Sequence, residues 1–220
     1  MKELSGNEYR LLYRTWFGRR PLSDLLSHAG DLTGKKVLDL CGGTGELSRA
    51  ALEAGAAYVI YVDHAPNMID GDLKEKYKNF SALKCTVAEG VKEIGAGAID
   101  VALCRQGVNY WFDDASVGQL SLVLSRGGVF IFNTFHVEPD ISPRTKEYAI
   151  DGIGYAEVSW MRYDGMVEHV QAREGMAPHC STFQWIPPEQ FTRVLKKHFV
   201  SHASEQRRSS TTWVCRKSGR

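Results

Sequence analysis

Five short runs rich in Val, Ile, Leu and Phe alternate with helical stretches over the first 135 residues: "KKVLDL", "AYVIYVD", "FSALKCTV", "IDVALCRQ" and "GGVFIFNTF". The helical stretches fall near 46–55, 66–77 and 115–125. A parallel strand pair needs a crossover, and crossover helices cover the faces of the sheet. Strands apolar on both sides therefore predict a parallel sheet packed between helices. The first run ends in an acid and passes through "CGGTG" into "ELSRAALEAG". A glycine turn at a helix start presents backbone N–H groups to a ligand, where the helix dipole favours anions.

Three ligands use a strand, a glycine turn and a helix. A nucleoside triphosphate needs G-x-x-x-x-G-K-[ST], and no lysine follows these glycines. A dinucleotide is closer. Gly43 and Gly45 fit the first two glycines of G-x-G-x-x-G, and Asp63 lies about 20 residues on. The third position is Ser48, where close helix packing wants glycine or alanine, and Asp39 is left without a role.

The remaining chain has a different rhythm. "EYRLLYRTWF" and "PLSDLLSHAG", the latter opened by Pro21, read as two N-terminal helices. After residue 135, "GYAEVSWMRYDGMVEHVQARE" reads as two strands joined at Asp164-Gly165, a two-residue hairpin signal. A third strand "STFQWI", a helix "EQFTRVLKKHF" and an antiparallel pair "VSHASEQ" and "TTWVCRK" complete it. The expected organisation is one domain over 1–220. It has a helical cap (1–30), a cofactor-binding core (35–135), a β-rich substrate-side insertion (136–186) and a closing helix and hairpin (187–220).

Bulk properties exclude several classes. A net charge of +1 argues against a protein built to grip nucleic acid or an anionic membrane. The basic stretches "RTWFGRR" and 193–220 read as solvated faces. Cys41, Cys85, Cys104, Cys180 and Cys215 form no CxxC pair, and no signal-peptide pattern opens the chain. Reduced thiols in a cytoplasm are expected, with no metal site and no membrane span.

The residues also carry a family likeness. "VLDLCGGTG" resembles the first motif of class I S-adenosylmethionine-dependent methyltransferases, an acid followed by G-x-G-x-G. Asp39 matches the acid; Cys41, Gly43 and Gly45 fall on the glycine positions, the first of them replaced. "YVDHAPNMI", "VAEG", "IDVALCRQGVNYW" and "LSRGGVFIFNTF" are similar to the later motifs in order, over roughly 35–135, with Arg126 in place of a proline. The closing antiparallel pair also fits that fold and not a dinucleotide fold. The resemblance is to the small-molecule type (methyltransferase domain 11/25-like). It implies a seven-stranded, mostly parallel Rossmann-like sheet with helices on both faces, a helical N-terminal cap and an antiparallel β insertion.

It also implies roles. A carboxylate ending the second strand, Asp63, would take both ribose hydroxyls. Ala88 and Glu89 sit where the family contacts adenine, with His64 and Met68 flanking the ring; Met68 equally suits plain core filling. The amino-acid end of the cofactor would lie over Gly43 and Gly45, with Asp39 serving its ammonium. Cys104 and Arg105 would border the methionine portion; Cys41, in the turn, and Cys104 read as small buried fillers.

The acceptor is read by elimination. Enzymes of exocyclic base amines carry [DN]-P-P-[YFW] after the fourth strand, where this chain has "CRQGVNY". A Pro-Cys nucleophile for RNA cytosine is missing as well. A small molecule remains, methylated on N or O, with a protein side chain as the lesser alternative. The insertion resembles the extra strands of small-molecule enzymes, including those of natural-product pathways, where it roofs the site or forms a dimer interface. Gln106, Asn109, Tyr110 and Trp111 would bind the acceptor, with Tyr9 or Tyr13 lining the site and Trp16 packing the cap. His136, after the fifth strand, is the first choice of base and His179 the second. The expected protein is a monomer or homodimer. Rival readings are a C-methyltransferase, a non-catalytic cofactor-binding partner subunit and an NAD(P) oxidoreductase.

Overall fold

The computed structural model describes residues 4–13, 22–65, 67–69, 72–135, 139–207 and 210–219. Five parallel strands form the centre: β1 (Lys36–Leu40), β2 (Tyr58–Val62), β3 (Phe80–Leu83), β4 (Ile99–Arg105) and β5 (Leu124–Phe135). A second sheet follows in the chain: β6 (Arg144–Ile150), β7 (Ile153–Met161), β8 (Met166–Arg173) and β9 (His179–Gln184), paired antiparallel in that order. The last strands, β10 (Ser201–Arg207) and β11 (Ser210–Arg216), return to the first sheet, where β11 pairs antiparallel with β5. Its order is β10-β11-β5-β4-β1-β2-β3, so the chain reverses its winding between β1 and β4.

Period-two alternation explains how one strand serves both faces. Leu38, Leu40, Phe130 and Phe132 point into one cluster with Leu120, Phe191 and Trp213. There the Phe130 and Phe132 rings stack at 4.7 Å, and Phe132 and Trp213 at 6.1 Å. Val37, Leu103 and Ile131 point the other way, against Leu25, Leu47 and Ala51. The helices on the first face are α5 (Val87–Glu93), α6 (Asp114–Val123) and α7 (Pro188–His198). The second face is covered by α2 (Ser23–Ala29), α3 (Glu46–Glu53) and α4 (Asp72–Lys76). Burial of each Phe side chain contributes roughly 1.5–3 kcal/mol, so the two clusters fix the register of β5 between them.

Helix α1 (Gly6–Leu12) packs against β8 of the second sheet. Ser5 and Glu8 close a capping box at its start. Its first N–H, from Gly6, donates to the Asn67 carbonyl at 3.0 Å. The Tyr155 hydroxyl of β7 donates to the Leu11 carbonyl at 3.4 Å, joining the helix to the second sheet.

Some elements differ from expectation. "FSALKCTV" stops as a strand at Leu83, because Thr86 and Glu89 form a capping box that starts α5 at Val87. Strand β6, "RTKEYAI", has no signal in the sequence; its side chains are mostly exposed and carry no apolar alternation. The two-residue hairpin turn is Asp151-Gly152, with φ of 51° and 78°, between β6 and β7. Asp164-Gly165 belongs instead to the longer 162–165 loop, closed by an Arg162 N–H bond to the Met166 carbonyl at 2.7 Å. Of the helix drawn over 66–77, residues Asp72–Lys76 are helical, while 66, 70 and 71 lie outside the described residues.

Candidate active site

In an open parallel sheet, ligands bind beyond the carboxyl ends of the strands where the winding reverses. Here that crevice lies between β1 and β4, and a cavity of ≈ 370 Å³ occupies it. Its floor is the glycine turn. Cys41, Gly43 and Gly45 hold φ of 52°, 54° and 77°, so the replaced glycine keeps the left-handed backbone of its position. Strand β2 pins the turn from the side. The Tyr61 hydroxyl donates to the Gly43 carbonyl at 2.6 Å, and Gly43 N–H donates to Asp63 Oδ2 at 2.9 Å. The other Asp63 oxygen accepts Ala65 N–H at 2.9 Å. Each carboxylate oxygen has a second lone pair and can still accept a hydroxyl.

Asp39 is 1 % exposed. Alternation along β1 turns it towards α3, where Ser48 Oγ donates to its Oδ2 at 2.6 Å. Its Oδ1 is buried and has no partner among the described residues. Burial pushes this carboxyl up to about 7, against the Ser48 hydrogen bond, which lowers it. A buried carboxylate oxygen facing no donor is a place for a cation's N–H. Ser48, an imperfect third glycine in a dinucleotide fingerprint, is thus the partner that holds Asp39.

A chain of ions ties the cap to the floor. Arg105 Nη1 lies 3.0 Å from Glu46 Oε2, and Arg10 Nε lies 3.6 Å from Glu46 Oε1. Arg10 also donates to the Thr44 carbonyl at 3.1 Å. Under the turn, Cys41 and Gly107 are in contact. A Cβ on Gly107 would overlap the Cys41 side chain, so this glycine is required by the residue that replaced one. The Cys104 sulfur beside it, and then burial, hold the Cys41 thiol well above its usual range. It is a neutral thiol.

The far wall comes from β9 and the loop after β4. The Tyr13 hydroxyl and His179 Nδ1 are 2.8 Å apart. Burial raises the Tyr13 phenol and lowers the His179 imidazole, so both are neutral near pH 7. Tyr9 is also raised by burial. Tyr110 meets Phe183 edge-on at 5.9 Å, and Tyr9 lies 4.4 Å from Tyr13.

Thirteen of the residues singled out from the sequence line this cavity. On the floor side they are Asp39, Cys41, Gly43, Asp63, His64 and Met68. Arg105, Gln106, Asn109, Tyr110, Tyr9, Tyr13 and His179 complete the walls. Others do not line it. Gly45 starts α3 behind the turn, and Cys104 is fully buried beneath it. Ala88 and Glu89, expected at adenine, do not line it either; Glu89 is exposed and its carboxylate accepts from Thr86 N–H and Oγ1 at 2.9 and 2.7 Å, as a helix cap. Trp111 is corrected too. A 3₁₀ turn rotates about 120° per residue, and the one at Val108–Tyr110 carries the Trp111 ring into the aromatic core, 6.0 Å from Phe130. His136 and Trp16 lie outside the described residues. The sequence reading missed Glu46, Thr44 and the β9 residues Ser181, Thr182 and Phe183. Only the strand alternation of "STFQWI" hinted at the last three.

Comparison with known proteins agrees with this geometry. Residues 38–132 match the family model described as a methyltransferase domain. No curated protein matches the chain in sequence. Among solved structures, an S-adenosylmethionine-dependent methyltransferase from Clostridium acetobutylicum superposes with a TM-score of 0.72 at 17% identity, covering 97% of this chain and 99% of that one. One from Mesorhizobium loti gives 0.63 at 16% identity, covering 90% and 99%. The 1,6-didemethyltoxoflavin-N1-methyltransferase of Burkholderia thailandensis, with its substrate and S-adenosylhomocysteine bound, gives 0.56 at 16% identity, covering 99% and 92%. Residues 38–132, from β1 to β5, thus match a methyltransferase domain, and the fold around the cavity floored by the glycine turn is that of S-adenosylmethionine-dependent methyltransferases.

Proposed function

We propose that the chain transfers the cofactor's methyl group to a nitrogen or oxygen of a small molecule held between the loop after β4 and strand β9. The observation that carries this reading is the wall opposite the glycine turn, where Tyr110 and Phe183 give apolar surface beside Gln106, Asn109 and His179. Few, placed polar groups among aromatic rings are what a small organic ligand requires. When bound, the cofactor supplies an activated sulfonium methyl. The protein's part is to hold both reactants in line and to take a proton where the acceptor brings one.

On this reading Asp63 takes the ribose hydroxyls, and Asp39 serves the ammonium over the turn at Gly43. His64 and Met68 flank adenine, and Arg105 borders the methionine portion. His179 takes the acceptor's proton, with His136 as the other candidate. The five cysteines, all free thiols, support a reducing compartment, the cytoplasm. No helix among the described residues is long and apolar enough to cross a membrane.

The test is turnover by the purified chain. Incubation with labelled cofactor and pools of small molecules should give a product heavier by one methyl. Binding of S-adenosylhomocysteine without turnover on any pool would favour the partner-subunit reading.

A pH dependence follows from Asp39, whose folded pKa of about 7 lies above its ordinary value. A raised folded pKa gives stability that is full below the unfolded value, about 4, and is lost as pH rises through the folded one. The ligand-free protein therefore loses this contribution between about pH 4 and 7. Cofactor binding has the opposite sign, because the ammonium needs the carboxylate. Affinity for S-adenosylhomocysteine should rise about tenfold from pH 6 to pH 8. Calorimetry in buffers of different ionisation enthalpy should read a released proton near pH 6, absent in Asp39→Asn. Equal affinity at both pH values would remove Asp39 from the ammonium role.

A further inference from the structure

Two carboxamides three residues apart share the acceptor side of the cavity, and each has an unmet buried atom. Asn109 is 4 % exposed, and its Nδ2 donates to the Gln184 carbonyl at 2.9 Å. That bond fixes which way its amide faces. Its Oδ1 is buried and has no partner among the described residues. Gln106 presents the complementary case, with Nε2 buried and unpartnered. Leaving a desolvated donor and acceptor unmade is penalised more than making them is rewarded, so the pair selects a ligand that meets both.

Gln106 is also held in an unusual conformation. Its φ is 63°, the left-handed region that a residue with a side chain adopts only under constraint. The constraint comes from β5. Asn133, 1 % exposed and not part of the cavity wall, accepts Gln106 N–H on Oδ1 at 2.7 Å. A buried amide at the end of a central strand is thus committed to one backbone N–H of the loop. Among positions on the floor and loop, Gln106 and Cys41 are the non-glycine residues with positive φ, and both border the cavity.

We infer that Gln106 and Asn109 together read an amide edge of the methyl acceptor, a carbonyl beside an N–H as in a lactam or pyrimidinone, and that Asn133 is the positioning residue that aims Gln106. The carbonyl accepts from Gln106 Nε2 and the N–H donates to Asn109 Oδ1. The ring bearing that edge is planar, and Tyr110 and Phe183 offer it aromatic faces. This inference rests on the small-molecule reading above, since it names the class of molecule.

The experiment uses the full chain saturated with S-adenosylhomocysteine, and 2-pyridone, uracil, N-methyl-2-pyridone and phenol as probes followed by ligand-observed NMR. The first two carry the edge; N-methylation blocks it, and phenol lacks it. 2-Pyridone and uracil should bind at least about tenfold more tightly than the other two. Gln106→Leu and Asn109→Leu should each remove that preference. Asn133→Ala should weaken 2-pyridone about tenfold and leave S-adenosylhomocysteine affinity unchanged, with Asn133→Asp, which keeps an acceptor oxygen, restoring it. Retained cofactor affinity certifies that each variant is folded. N-Methyl-2-pyridone binding as well as 2-pyridone, or a preference that survives Gln106→Leu, overturns the inference. Failure of the parent chain to bind S-adenosylhomocysteine would instead strike the methyltransferase reading. An Asn133→Ala variant with full preference would overturn the positioning role alone.

Discussion

Gly43→Val is expected to abolish binding of S-adenosylhomocysteine while the sheet stays folded. At Gly43 φ is 54°, and a Cβ there would meet nothing nearer than the Cys41 carbonyl oxygen at 4.0 Å. The ligand-free fold therefore has room for a side chain, and the penalty to stability is mainly backbone strain, about 1–2 kcal/mol. The room is the cavity itself. A branched side chain would stand on the floor where we propose the cofactor's amino-acid end to lie, and strain would pull Gly43 from its bonds to Tyr61 and Asp63. Affinity should fall by more than about a hundredfold, equivalent to about 2.7 kcal/mol. Gly45→Val makes the informative contrast. Its Cβ would lie 2.5 Å from Leu73 in the core, so that variant should lose stability first and binding as a consequence. Titration calorimetry and circular dichroism on both variants separate the cases. Binding by Gly43→Val within a few-fold of the parent would place the cofactor elsewhere.

The same turn shows how far local pattern carries. The acid, the glycines and the strand-end Asp63 are short-range features, and each has a backbone reason visible in "VLDLCGGTG" and "YVDHAPNMI". Five parallel strands were legible because Val, Ile and Phe runs suit a sheet buried on both faces. What was not legible depends on contacts between distant segments. Gly107 is a glycine because Cys41 lies against it, 66 residues away in the chain. Asn133 reads as one more polar residue ending a strand until Gln106 is brought to it. Strand β6 has no apolar alternation, since it is a half-exposed edge of the second sheet. Ser181, Thr182 and Phe183 enter the cavity only through the way the second sheet docks over the first, which no periodicity encodes. Trp111 failed for the same reason in reverse, an aromatic in a polar loop that the core claimed.

His179→Ala should lower kcat by about 10²–10⁴-fold if the acceptor arrives protonated, and change S-adenosylhomocysteine affinity by less than about twofold. Burial lowers the His179 pKa from its usual value, so the neutral imidazole, the form able to take a proton, predominates at pH 7. The rate should therefore fall with decreasing pH only below the ordinary histidine range of about 6.5, and the variant should lack that limb. Its partner decides the route. If Nδ1–H donates to the Tyr13 oxygen, Nε2 keeps a lone pair and takes the proton directly; Tyr13→Phe then lowers kcat by less than about tenfold. If the Tyr13 hydroxyl donates to Nδ1, the acceptor's proton passes through the phenol, and Tyr13→Phe should lose as much as His179→Ala. His136→Ala is the comparison from outside the described residues. Should the acceptor be nucleophilic as it binds, positioning alone does the catalysis and His179→Ala loses less than about tenfold with an unaltered pH profile. That result would retire His179 as the base and leave the methyltransferase reading standing, because the cofactor floor proposed for Asp39, Gly43 and Asp63 does not depend on it.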